Sequence, residues 1–118
     1  MAEALTHARL STKPNGEEEG IMIRHVVMIK FKPEVSQEQR GNFVKTSVGA
    51  LGQISGVKNI IGGQALDIEG KPAFDAALFI DFDSEARLRE YLGHPVHKAA
   101  EAQVPAMCSN IRVLNCLY

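Results

Sequence analysis

The chain has 118 residues, of which 13 are basic and 14 acidic, and its formal net charge is −1 at pH 7. This length accommodates one domain. Because the two signs of charge are interleaved and nearly balanced, the composition argues against a nucleic-acid or membrane-surface partner, and no apolar run is long enough to cross a bilayer.

Residues 1–20 differ in composition from the rest of the chain. They contain the turn-forming Pro14-Asn15-Gly16 and the acidic Glu17-Glu18-Glu19, and they lack the continuous apolar core of a secretory signal. Such a segment cannot bury enough apolar surface to offset the entropy lost on ordering. We therefore predict a flexible N-terminal tail over residues 1–20 and one domain over residues 21–118.

The first half of the domain predicts a strand, a helix and a second strand. Residues 21–32 are dense in β-branched and apolar side chains and stop at Pro33. Ser36 and Gln39 then have the spacing of a capping box, and apolar residues recur at helical intervals until Ser55-Gly56. Residues 57–66 predict the second strand, in which Gly62-Gly63 favours a sheet edge or a bulge.

The second half predicts a strand, two helical pieces and a last strand. Residues 73–82 alternate with an apolar row on one face, and residues 85–92 predict a helix that ends before Pro95. Pro95 begins a further helical piece to about residue 103, and residues 108–117 form the last strand. The order is βαββαβ, which predicts an α+β, ferredoxin-like antiparallel sheet with its helices on one face.

The two presumed central strands are apolar on both faces. In the first strand Val27 and Ile29 share one face while Val26 and Met28 share the other, and Phe79 in the third strand opposes the apolar row. Helices can cover only one of these faces, because both crossovers of a βαββαβ unit lie on the same side. We expect a second copy of the chain to cover the other face, which makes the protein a homodimer; coverage by a different protein is the alternative.

The densest group of polar side chains is the run from Tyr91 to His97, which includes the short pattern His94-Pro95-Val96-His97. It lies at a helix break just after a central strand. His25 lies on the helix-facing side of the first strand, where a polar ring must find a hydrogen-bond partner. The sequence therefore predicts one pocket that contains His25, Tyr91, His94 and His97, although His25 could equally be a core histidine bonded to backbone or tyrosine.

A metal site is a weaker alternative for the same residues. His94 and His97, with His25 or Asp81, offer nitrogen and oxygen ligands. Real zinc sites need three or four convergent ligands, and strand parity places Asp81 on the face away from the helices. We expect no metal and no other cofactor, since no flavin or nucleotide fingerprint is present.

Three segments together resemble the signature of the stress-responsive dimeric α/β-barrel (Dabb) domain family: Arg24 to Lys32, Phe43 to Thr46, and Tyr91 to His97. The resemblance extends over about residues 22–118. It implies a dimeric α/β barrel built from ferredoxin-like subunits, with a small pocket between sheet and helices in each subunit.

The resemblance also implies candidate roles for individual residues. In polyketide cyclases of this family, the second histidine of the segment is the general base and the tyrosine six residues earlier assists it. These positions are His97 and Tyr91 here, and the strand histidine corresponds to His25. The implied pocket wall comprises Val27, Ile29, Phe43, Val44, Ser47 and His94. Val44 and Ser47 stand where further aromatic residues would be expected, so the pocket should differ in shape.

The family has no single reaction, so several functions stay open. The leading description is a stress-responsive domain of undefined biochemical role. An acid–base enzyme acting on a carbonyl substrate is one alternative, and a monooxygenase-like barrel or a binder of a small apolar ligand are others. A purely structural dimer is a further alternative.

The cysteines indicate the compartment. Cys108 and Cys116 are eight residues apart on the predicted last strand. That separation is roughly 26 Å at about 3.3 Å per residue, too far for a disulfide. Two free thiols predict a cytoplasmic protein.

Overall fold

The computed structural model describes residues 21–118, so the tail predicted over residues 1–20 lies outside the described residues. Seven elements follow one another along the chain: β1 (Ile23–Phe31), α1 (Gln37–Leu51), β2 (Asn59–Gln64), β3 (Ala76–Phe82), α2 (Glu85–Gly93), α3 (Pro95–Met107) and β4 (Cys108–Leu117). The predicted βαββαβ order is confirmed, with two helices in the second crossover.

The four strands form one antiparallel sheet in the order β2-β3-β1-β4. β1 and β3 are therefore central, and β2 and β4 are the edges, which confirms the edge position predicted for the strand with Gly62-Gly63. In the register of the sheet, His25 lies opposite Ile80 on one side and opposite Asn115 on the other. This register decides which side chains share a face.

The hydrophobic core lies between the sheet and the helices. The helix-facing residues of β1 and β3 alternate along each strand, as the period of two requires. They pack against the apolar stripes of the helices, and the core cluster includes Ile29, Phe31, Leu78, Ile80, Phe82, Val44, Leu51, Leu88 and Tyr91. The prediction that these strands present one apolar row to the helices is confirmed.

α1 begins as predicted and ends earlier than predicted. Ser36 Oγ accepts the Gln39 backbone N–H at 3.1 Å, and Gln39 Oε1 accepts the Ser36 N–H at 2.8 Å, which completes the capping box. The helix ends at Leu51 rather than near Ser55-Gly56. The chain then continues in tight turns, in which the Ile54 N–H donates to the Leu51 carbonyl, so Ile54 stays buried although the α-helix has ended.

α3 begins at Pro95 as predicted but runs beyond residue 103 to Met107, with Pro105 inside it. Proline removes one N–H and usually disfavours a helix interior. Here it lies in the last turns, and the helix still closes because the Cys108 N–H donates to the Val104 carbonyl. The predicted end was therefore about one turn too early.

The other face of the sheet carries apolar side chains and one ion pair. Ile61 and Leu114 on the edge strands are 51% and 57% exposed. Ile61 lies opposite Phe79 on β3, and Leu114 lies opposite Val26 on β1. Arg24 donates to both carboxylate oxygens of Asp81 at 2.7 and 2.9 Å. No element formed by residues 21–118 packs on this face. Within the same residues, no helix is long and apolar enough to cross a membrane.

Candidate active site

A cavity of about 370 Å³ lies between the sheet and the helices. Its wall is mostly apolar and is contributed by β1, α1, β3, α2, α3 and β4. The polar side chains that reach it are fewer: His25, Ser47, Tyr91, His97, Glu101 and Asn115. A mostly apolar cavity with a small set of convergent polar groups is the usual form of a small-molecule site.

His25 is held in the sheet at the floor of this cavity. Its side chain points toward the helices, as strand parity predicts, and the residue is 3% exposed. Its Nδ1 lies 2.6 Å from Asn115 Oδ1 on β4. Burial lowers the pKa of His25 below its ordinary value of 6.5; the Asn115 hydrogen bond opposes this shift and the nearby His97 adds to it.

Tyr91 connects the two histidines. Its ring lies edge-on to His25, with centroids 5.8 Å apart, and its centroid is 4.7 Å from that of His97. Tyr91 is 1% exposed and also packs against Phe82. Burial, followed by the negative charge of Glu101, raises the pKa of Tyr91 well above its ordinary value of 10.0. The phenol therefore stays protonated and can donate a hydrogen bond.

His97 has a defined orientation. Its Nδ1 lies 3.0 Å from the Leu92 carbonyl oxygen at the end of α2. Because a carbonyl can only accept a hydrogen bond, Nδ1 carries a hydrogen, and the neutral ring keeps its lone pair on Nε2. The side chain is 13% exposed and lines the cavity. A neutral imidazole held in this way is an available base.

Glu101 lies one turn after His97 on α3. Its Oε1 is 3.3 Å from His97 Nδ1 and 3.5 Å from the Lys98 ammonium, and the side chain is about half exposed. The Glu101 side chain also lines the cavity. Its half-exposed position and the competing Lys98 weaken its attraction for a positive charge that develops in the cavity.

Two residues that were predicted from the sequence to line the pocket, Val44 and His94, lie elsewhere, so the prediction was wrong for these two. Val44 is on the side of α1 that faces β2, where its methyl group packs over Gly62. His94 is the N-cap of α3, and its Nδ1 accepts the Val96 backbone N–H at 3.1 Å. The other predicted wall residues, Val27, Ile29, Phe43 and Ser47, do line the cavity.

The residues considered as metal ligands do not converge. His94 caps a helix and Asp81 binds Arg24 on the opposite face of the sheet, so neither joins His25 and His97. Within the part of the chain that the structure describes, no group of three His, Cys, Asp or Glu side chains is arranged to hold a metal ion.

Two polar residues of the cavity, Asn115 and Glu101, were not predicted from the sequence. Glu101 had an available signal, because residues four apart on a helix share one face and His97 precedes it by four. Asn115 had none, because its place opposite His25 depends on the register between β1 and β4, which are far apart in the chain.

Comparison with known proteins gives related sequences and folds. The family model described as "Stress responsive A/B Barrel Domain" matches residues 23–116. Olivetolic acid cyclase from Cannabis sativa is 26% identical over 76 residues, which are 64% of this chain and 75% of that protein.

Solved structures also share the fold. A dimeric ferredoxin-like protein from Thermobifida fusca matches with a TM-score of 0.74 and 25% identity, over 85% of this chain and 93% of that one. Hydroxynitrile lyase from Passiflora edulis matches with a TM-score of 0.71 and 25% identity, over 82% and 93%. The predicted ferredoxin-like fold is thereby confirmed.

Proposed function

This chain belongs to the stress responsive A/B barrel domain family, and we propose that it is a homodimeric enzyme that moves a proton at the carbon next to a carbonyl group. The observation that carries the proposal is the meeting of His97, Tyr91 and His25 at the polar end of a mostly apolar cavity. Relatives named a cyclase and a lyase support an enzymatic role, but the fold alone does not fix a reaction.

His97 is the proposed base. The Leu92 carbonyl holds the hydrogen on Nδ1, which leaves Nε2 free to take a proton from the substrate. The ring becomes positively charged when it does so. Glu101, 3.3 Å from Nδ1, stabilises that charge.

Tyr91 is the proposed donor to the substrate oxygen. When the carbon–hydrogen bond breaks, its electron pair moves toward the carbonyl carbon and the carbonyl oxygen becomes an enolate. The protonated Tyr91 hydroxyl can hydrogen-bond this oxygen, and such a bond strengthens as negative charge develops. If the enolate carbon then attacks a second carbonyl of the same molecule, a ring closes, as in a polyketide cyclase-like reaction.

The apolar part of the cavity sets the kind of substrate. Val27 and Ile29 from β1 and Phe43 from α1 give it hydrophobic walls, so the substrate should combine a carbonyl group with an apolar portion. Such walls exclude water, which strengthens the hydrogen bonds at the polar end.

The proposed homodimer follows from the exposed face of the sheet. Ile61 and Leu114 are more than half exposed there, at the two ends of a row that runs across the sheet through Phe79 and Val26. A second copy with the same patch would bury these side chains in a self-complementary contact. Related solved structures described as dimeric support this arrangement.

The compartment is proposed from the cysteines. Cys108 and Cys116 are both free thiols in the described residues. Free thiols persist in a reducing compartment, so we place the protein in the cytoplasm.

An exchange assay in D2O tests the catalytic proposal without a known substrate. The protein is incubated with a panel of alkyl and aryl ketones, and deuterium uptake next to the carbonyl is followed by NMR. We expect His97→Gln to lower the accelerated rate by about 10²-fold or more. Glutamine can still donate to the Leu92 carbonyl, so the fold should be kept.

His94→Asn is the matched control for this assay. Asparagine is a good N-cap, so α3 should still begin normally, and His94 does not line the cavity. Its exchange rate should equal that of the wild type. Equal rates for wild type and His97→Gln would exclude His97 as the base.

Non-catalytic binding of a small apolar ligand is the second candidate, and the mostly apolar wall favours it. A binder should show ligand-dependent thermal stabilisation that survives His97→Gln. The same stabilisation should be lost in Val27→Phe, which fills the cavity. Loss of ketone exchange in His97→Gln would instead favour the enzyme.

A further inference from the structure

Asn115 holds the buried His25 from the neighbouring strand. The two residues are paired directly across β1 and β4, and Asn115 Oδ1 lies 2.6 Å from His25 Nδ1. Asn115 lies on an edge strand and lines the cavity beside His25. The proposed acid–base chemistry of His97 and Tyr91 does not itself require Asn115.

The chemistry of the contact decides where the hydrogen on His25 lies. An amide oxygen can only accept, so the ring nitrogen facing it must donate. We infer that Asn115 is a positioning residue that locks His25 in the tautomer with the hydrogen on Nδ1, and so presents the His25 Nε2 lone pair to the cavity. The tautomer itself does not depend on the proposed function; only a catalytic use of the Nε2 lone pair rests on it.

This tautomer gives the cavity a defined hydrogen-bonding pattern. Tyr91 offers a donor, while His25 and His97 each offer an acceptor nitrogen. A neutral Nε2 without a hydrogen cannot donate. Any ligand group that hydrogen-bonds to His25 Nε2 must therefore be a donor, such as a hydroxyl or an enol beside the carbonyl.

The surroundings of His25 keep the ring neutral. The titratable groups that face it from the packed elements are Tyr91 on α2 and His97 and Glu101 on α3. Burial and His97 both oppose a positive charge on His25. A neutral ring has two possible tautomers, so a neighbour is needed to select one.

Long-range proton–nitrogen NMR of the histidine rings tests the inference directly. At pH 7.5 the wild-type His25 should show the pattern of a hydrogen on Nδ1. Asn115→Leu removes the acceptor, so the signals should move toward a mixture of tautomers. Asn115→Asp places a carboxylate at the same position, so the pKa of His25 should rise.

Asn110→Asp is the matched control, because it makes the same change on the same strand but Asn110 pairs with Lys30 rather than His25. It should leave the His25 signals unchanged. A hydrogen on Nε2 in the wild type would overturn the inference, since it would mean that the Asn115 amide is turned to donate. Unchanged His25 signals in Asn115→Asp would also overturn it.

The measurement separates this inference from the proposed function. It needs no substrate, so a failed ketone screen would leave the tautomer result standing. Conversely, a hydrogen on Nε2 of His25 would overturn this inference but would not change the roles proposed for His97 and Tyr91. If Asn115→Leu does not fold, the wild-type spectrum and Asn115→Asp still decide the outcome.

Discussion

The rings of Tyr91 and His97 lie 4.7 Å apart between centroids, tilted by 50°, although they belong to different helices. On one continuous helix, side chains six residues apart would point in directions about 120° apart. The break at His94 and Pro95 ends α2 and starts α3. This change of direction brings both side chains into one cavity.

Replacing Glu101 should weaken catalysis without abolishing it. Glu101→Gln removes the carboxylate that stabilises a protonated His97, but the Leu92 carbonyl still fixes the ring. Because Glu101 is about half exposed, we expect only about a 3- to 10-fold loss in ketone exchange. Glu85→Gln, the same change at an exposed pair with Arg89 on α2, should have no effect. A loss of 10²-fold or more would mean that the Glu101 carboxylate is essential to the proton transfer, which would contradict its secondary role.

Stability should depend on pH through His25. Its pKa is lowered in the folded state, so from pH 6.5 down to that lower value the unfolded chain binds a proton that the folded chain does not. The free energy of unfolding should therefore fall as the pH falls, by at most about 1.4 kcal/mol per pH unit.

Urea unfolding between pH 5 and 7 checks this prediction. The wild type should lose stability toward pH 5 more steeply than His25→Gln, which lacks the titrating ring. If the free energy of unfolding changed with pH by the same amount in the two proteins, His25 would have the same pKa in the folded and unfolded states, and the prediction would be wrong.

Much of the fold could be predicted from local patterns. Alternation placed His25 on the helix-facing side, and the capping box placed the start of α1. The ends of the elements were less predictable, because they depend on partners distant in the chain. β2 spans Asn59–Gln64, shorter than the predicted residues 57–66, because its pairing with β3 runs only from Asn59 to Gln64.

The site was less predictable than the fold. Proline at the first helical position makes the preceding residue the N-cap, so the capping role of His94 could have been inferred from Pro95. Helical periodicity placed Val44 on the buried side of α1, but it did not tell whether that side chain faces the cavity or β2. That distinction depends on how the helix lies across the sheet.

The contact between α1 and β2 leaves no room for a side chain at Gly62. A Cβ there would lie 2.7 Å from both the Val44 and the Val48 methyl carbons. Gly62→Ala should cost about 1–3 kcal/mol in the free energy of unfolding, because neither the helix nor the strand can move without repacking. In the neighbouring Gly63→Ala, nothing lies within 4 Å of the new Cβ, so stability should be unchanged or slightly higher. If Gly62→Ala and Gly63→Ala had equal free energies of unfolding in chemical denaturation, this packing would be contradicted.

The dimer should depend on the exposed face of the sheet. Leu114→Glu places a charge in the apolar row of the proposed contact face, so sedimentation velocity at micromolar concentration should show a shift from dimer to monomer. Ala86→Glu introduces the same charge on the exposed surface of α2 and should leave the dimer intact. A monomeric wild type would contradict the proposed assembly.

The most direct test of the central claim is a double-mutant cycle on the rate of ketone exchange with Tyr91→Phe and His97→Gln. Because a donor to the enolate oxygen helps only when a base forms the enolate, the two changes should not be additive. We expect Tyr91→Phe to lower the wild-type rate by about 10²-fold and to have almost no further effect in the His97→Gln background. Equal effects of Tyr91→Phe in both backgrounds would show that the two residues act independently, and would contradict a shared acid–base site.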